Sequence, residues 1–128
     1  MSMTDYLENQ LLAAVLNKGT FTGPTTLYVA LFTSDPTEAG TEGVEVSDPA
    51  YERQVVIFSS AVDGTVKNTN LIEFPSSENG YGIITHIGIL DSATGGNILF
   101  YKQLDTAIVA DAGVGVQIAI EGLTVSLD

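Results

Sequence analysis

The chain has no cysteine among its 128 residues, which excludes a disulfide framework and any thiolate metal site. It is also poor in positive charge. Four basic residues, Lys18, Arg53, Lys67 and Lys102, stand against 16 acids, for a formal net charge of −12. A set this small and scattered cannot neutralise a run of phosphates, so no nucleic acid is expected as a partner. An anionic membrane surface would repel the chain, and no apolar run reaches the ~18 residues of a membrane span. The opening segment MSMTDYLENQ carries acid where a secretory leader carries positive charge, so no leader is expected. There is one histidine, so every nucleophile–base proposal must run through His86. The acid excess keeps a chain soluble at high concentration and leaves room for a basic protein partner.

With 45% apolar residues, the composition is that of a globular chain, and its length fits one domain spanning 1–128. Residues 4–18 read as an amphipathic helix. Leu7, Leu11, Ala14 and Val15 recur at helical spacing and Leu12 and Leu16 widen the stripe. Thr4 is the expected N-cap, Asp5 and Glu8 suit the first turn, Lys18 the last turn, and Gly19 the left-handed C′ position. The stripe is expected to dock on the rest of the domain and close one end of its core.

From residue 26 the period becomes that of strands. TLYVALFT (26–33) has apolar residues on both parities, as in a strand covered on both faces or one lying under the helix. Further strands are expected at 51–58, 71–74, 83–90, 97–104, 106–109 and 114–127. Asp63-Gly64 and Asn79-Gly80 signal turns, and a bulge or bend is expected at Gly122. One helix followed by seven or eight short strands predicts a mainly β fold, an antiparallel β-sandwich of jelly-roll or immunoglobulin-like type with one N-terminal α-helix. No strand–helix alternation of a dinucleotide or P-loop fold is present.

The stretch ITHIGILDSATGGNILFYKQL (84–104) holds His86, Asp91, Gly95, Gly96 and Asn97. His86 and Asp91 are separated by an odd number of residues and so face opposite ways on a strand unless a bulge intervenes. The plainer reading is a hairpin: Asp91 bonds the backbone two residues on, and Gly95 and Gly96 supply positive φ. No nucleophile elbow, zinc-binding helix motif or calcium-loop motif is present. No catalytic residue, metal or cofactor is therefore expected. Asp35, Glu38, Glu42, Glu45, Asp48 and Glu52 lie in a stretch with Gly40, Gly43, Pro36 and Pro49. It reads as a long exposed loop, mobile in isolation and a candidate partner contact.

The segments TLYVALFTSDP, VEVSDPAYERQVVIF, NTNLIEFP, ITHIGILDSATGGNILFYKQL and GLTVSLD, in this order and spacing, resemble a group of small virion proteins of tailed bacteriophages. Members are often labelled tail-fibre proteins, and some related ones serve as capsid cement, or decoration, proteins. The resemblance covers nearly the whole chain. Two local departures are SDPAYERQ, where the pattern is glycine-rich before the tyrosine, and Lys102, where glycine is common. The resemblance implies a virion location and a structural role. The first expectation is a capsid cement protein on the major capsid protein or another virion protein, as a homo-oligomer, guessed to be a trimer. A tail-fibre or baseplate component is the alternative. A carbohydrate-binding module and a hydrolase centred on His86 are rivals of other classes.

Overall fold

A computed structural model describes residues 1–17 and 19–127. It contains one helix, α1 (Asp5–Leu16), and nine strands: β1 (Ser2–Met3), β2 (Leu27–Phe32), β3 (Gln54–Val56), β4 (Thr65–Lys67), β5 (Ile72–Phe74), β6 (Gly82–Leu90), β7 (Ile98–Ala110), β8 (Val116–Ile118) and β9 (Thr124–Ser126). Five strands form an antiparallel sheet in the order β1-β7-β6-β2-β3. Two antiparallel ribbons, β4-β9 and β5-β8, complete the β structure. The main core is fed from both layers. Val29, Leu31, Ile84, Ile87 and Ile89 come from the sheet, and Ile72, Phe74, Val116 and Val125 from the ribbons. This is the expected mainly β, sandwich-like architecture with an N-terminal helix. Among the described residues no helix is long and apolar enough to cross a membrane.

Strand β2 explains why both parities of TLYVALFT are apolar. Val29 and Leu31 enter the main core, while Ala30 and Phe32 join Leu90 in a second cluster on the opposite face, with Ile98 packed against it. The second face is covered by the chain around 36–43. A Cβ on Gly43 would lie 2.7 Å from the Pro36 backbone and 3.2 Å from the Phe32 ring. Strand β6 shifts register against β7 between Ile84 and His86. The shift lets Ile84 share a core with Ile87 and Ile89 despite the difference in parity. His86 then lies opposite Phe32 on the second face.

Several expected boundaries move. The strands expected at 97–104 and 106–109 are one continuous strand, β7, because its ladder with β6 resumes at Ile108–Ala110. Only Gln54–Val56 of the strand expected at 51–58 pairs in the sheet. At Gly122 the structure has the bend of the two alternatives and not a bulge within one strand. The chain turns there, with Glu121 at φ 63°, and strands β8 and β9 go to different ribbons. The turn signals hold: Asp63 and Gly64 adopt φ of 52° and 73° between the paired Val62 and Thr65, and Gly80 adopts φ 77°.

Helix α1 departs most from expectation. Its N-terminus is as predicted: the Thr4 hydroxyl accepts from the Leu7 amide, and it donates to the Ile98 carbonyl at 2.6 Å. The Asp5 amide donates to the Glu38 carbonyl. The C-cap is Asn17, so Gly19 lies beyond C′, although its amide still reaches the Ala13 carbonyl at 2.7 Å. Lys18 lies outside the described residues. The apolar stripe does not close the core. Leu7 alone is buried, Leu11 and Ala14 are half-buried, and Leu12, Val15 and Leu16 are 54%, 76% and 70% exposed. The helix is pinned at its first turn by Thr4 and Asp5, and Leu12, Val15 and Leu16 face solvent. Truncation effects should follow this division. Leu7→Ala should lose roughly 2 kcal/mol or more. Leu12→Ala should stay within about 0.5 kcal/mol, as an exposed site does. Urea midpoints at constant slope give both values.

Candidate functional site

The hairpin between β6 and β7 is built by Asp91. Its Oδ1 accepts from the Asn97 amide at 2.8 Å and its Oδ2 from the Asn97 side chain at 3.1 Å. The Asp91 amide also donates to the Asn97 carbonyl. Asp91 thus spans the whole loop and does not bond the amide two residues on, as its sequence position suggested. Gly95 and Gly96 have φ of 61° and 72°. A Cβ on Gly96 would lie 2.4 Å from Asp91 Oδ1, so the loop has room for glycine alone there.

His86 is buried on the second face of the sheet. Its Nδ1 is 2.8 Å from the Thr85 hydroxyl, and its Nε2 is 3.8 Å from Asp35 Oδ1, too far for a hydrogen bond. The acid near His86 is therefore Asp35 and not Asp91. His86 is 8% exposed, and Asp35 beside it is open to solvent.

The acidic stretch is not the loosely packed loop that its composition suggests. Strand β3 pairs with β2 only as far as Val29, and beyond that point the stretch completes the β2 edge. The Val46 amide donates to the Leu31 carbonyl at 3.0 Å, the Thr33 amide donates to the Val44 carbonyl, and Glu45 pairs with Phe32. Pro36 and Val46 are buried. The acids divide accordingly. Glu38, Glu42 and Glu52 are exposed. Asp35 and Asp48 accept from the amides of Thr37 and Ala50 and hold turns. Backbone and side-chain hydrogen bonds from Ala50, Ser77 and Asn79 hold the Asp48 carboxyl below its ordinary value.

Glu45 belongs to an internal network. Arg53 grips both of its oxygens, Nε to Oε2 at 2.9 Å and Nη2 to Oε1 at 2.8 Å. Arg53 Nη1 donates to the Ser92 and Gly95 carbonyls, each at 2.8 Å, and so ties the hairpin loop to the acidic stretch. The Tyr51 hydroxyl donates to Glu45 Oε2 at 2.6 Å and accepts from the Leu31 amide. Burial pushes the Glu45 carboxyl up, but the bonds from Arg53 and Tyr51 and the Arg53 charge together outweigh it and hold the group below its ordinary value. Burial and the Glu45 carboxylate raise the Tyr51 phenol far above its usual range. The Tyr51 ring stacks on Phe74 at 6.0 Å and meets Tyr81 edge-on at 5.8 Å. The network floors a cleft of about 610 Å³, walled by Tyr28, Glu52 and Thr94 among others. Sequence reasoning missed Tyr51 and Arg53 as partners of Glu45. The available signal was the one arginine of the chain, following closely on an acid-rich segment.

The site offers packing, closed polar networks and loops held from within. Among the described residues no group of three or more metal-ligating side chains could hold an ion. No curated protein matches the chain. The family model described as "Podophage GP4 fiber I protein gp80" matches residues 2–126. With nearly its whole length matched, the chain belongs to this podophage fibre family and is a structural component of a tailed-phage virion.

Proposed function

We propose that the chain is a building unit of the tail fibre, present as a homo-oligomer in contact with other virion proteins and without catalytic activity. The family match to a fibre protein across residues 2–126 carries this reading and favours the fibre over the capsid cement position first expected from the sequence. The interior supports it. The polar groups of the Glu45–Tyr51–Arg53 network are spent on one another and on backbone, and the imidazole of His86 is buried with its Nδ1 on the Thr85 hydroxyl. Particles lacking the protein should adsorb to host cells at least about ten-fold less well, since fibre attachment is multivalent. Their resistance to heat and dilution should be unchanged. Reduced shell stability with normal adsorption would return the protein to the head.

A further inference from the structure

We propose that the outer face of α1 is a docking surface for a cationic amphipathic helix of another virion protein. Leu12, Val15 and Leu16 are the exposed i, i+3, i+4 set of α1. With Met3, Glu8 and Leu11 they line an open apolar groove of about 370 Å³. A contiguous apolar patch on an otherwise solvated face marks an interaction surface, and three aliphatic positions at this spacing are what a partner helix packs against. The helix is positioned for this. Thr4 and Asp5 bind its first turn to the Leu99 and Glu38 carbonyls, so the groove is held rigidly while its apolar side points away from the core.

Charge identifies the occupant. Asp5 and Glu8 lie in the first turn of the helix, and Glu38 adjoins it through the Asp5 amide. The Tyr101 phenol, beside β1, is raised by partial burial and by the combined field of Glu38, Asp35 and Asp5. No Lys or Arg is among the described residues that line the groove, and Glu8 is the one charged side chain there. Arg53 is committed to Glu45, Lys102 lines a cavity between the sheet and the ribbons, and Lys67 is on β4. An apolar groove with an acidic rim selects an apolar ridge flanked by Lys or Arg, because opposite charge speeds encounter and like charge rejects other partners. A second copy fits poorly. Its own groove would present the same acids, Asp5 and Glu8, and no described Lys or Arg to meet them.

The inference rests on the reading that the protein works by assembly with other virion proteins, and its test separates the two. The full chain and a Leu12→Ser/Val15→Ser variant are titrated with a labelled synthetic Leu/Lys amphipathic helix and with a Leu/Glu helix of the same pattern. The Leu/Lys peptide should bind the wild type, more weakly as salt rises. The variant should bind it at least about ten-fold more weakly while keeping its melting temperature, and the Leu/Glu peptide should not bind. Equal binding by wild type and variant would overturn the proposal. So would sedimentation showing a wild-type oligomer that the variant cannot form, since the occupant would then be a second copy. In particles, the variant should be lost from the virion. A variant retained at the wild-type level would sink the docking surface and leave the fibre assignment standing.

Discussion

Asn68→Ala is expected to destabilise the protein by roughly 3–5 kcal/mol, which should lower the melting temperature by about 10 °C or more. Asn68 is fully buried. Its side-chain amide donates to the Asn70 and Ala119 carbonyls at 2.8 and 2.9 Å, and its carbonyl oxygen accepts from the Leu123 amide at 2.8 Å. Its own backbone donates to the Leu123 carbonyl and accepts from the Glu121 amide. One side chain therefore closes the turn between β8 and β9 and ties it to the link between β4 and β5. Alanine removes three hydrogen bonds and leaves the buried Leu123 amide and the half-buried Asn70 carbonyl without their partner, while the Ala119 carbonyl keeps the Gly122 amide; the buried loss carries the larger desolvation penalty. Asn68→Asp keeps the shape but aims a carboxylate at two carbonyls. Its folded pKa should rise, so its extra destabilisation should be full at neutral pH and shrink as pH falls through that raised value. Thermal melts of the two variants from pH 7 to pH 4 give the answer. A stable Asn68→Ala protein would mean that water or relaxation replaces the network.

Arg53→Met should be the other large loss, about 2–4 kcal/mol, because it strands the partly buried Glu45 carboxylate and frees the Ser92 and Gly95 carbonyls at once. Glu45→Gln/Arg53→Met should recover part of it, since no unpaired charge then remains. The pH dependence has a definite sign. Glu45 titrates below its ordinary value of 4.5 in the folded protein, so its contribution is fully present above that pH and fades as pH falls through the lower folded value. The stability gap between wild type and the double variant should therefore be constant from pH 7 to about pH 5 and narrow below about pH 4. A gap that widens with acid would show that the pair is not a main source of stability. Hydrogen exchange of the 92–96 amides should accelerate in Arg53→Met, because the loop loses its outside anchor.

Local chemistry was legible in the order of residues. Apolar positions of both parities in TLYVALFT predicted a strand covered on both faces or lying under the helix, and β2 is the first of these, feeding two clusters. Thr4 signalled the helix start, and Asp63-Gly64 a tight reversal whose residues need positive φ. These features depend on neighbours within a few residues, so backbone preference and side-chain periodicity suffice to reveal them. Tertiary structure decided the rest. The helix stripe was correctly periodic, yet its face is open to solvent, because periodicity reports which residues share a face and not whether the fold sets another segment against it. The acidic stretch had the composition of a mobile loop, yet it lies along β2, because the short β3 leaves backbone groups on that edge for Val46 and Tyr51 to satisfy. The bonds from Arg53 to the Ser92 and Gly95 carbonyls, 39 and 42 residues away, and those of Asn68 with its three partners at separations of up to 55 residues exist only once distant segments meet. Hydrogen bonding of buried polar groups is imposed by the folded surroundings, and no local pattern encodes it.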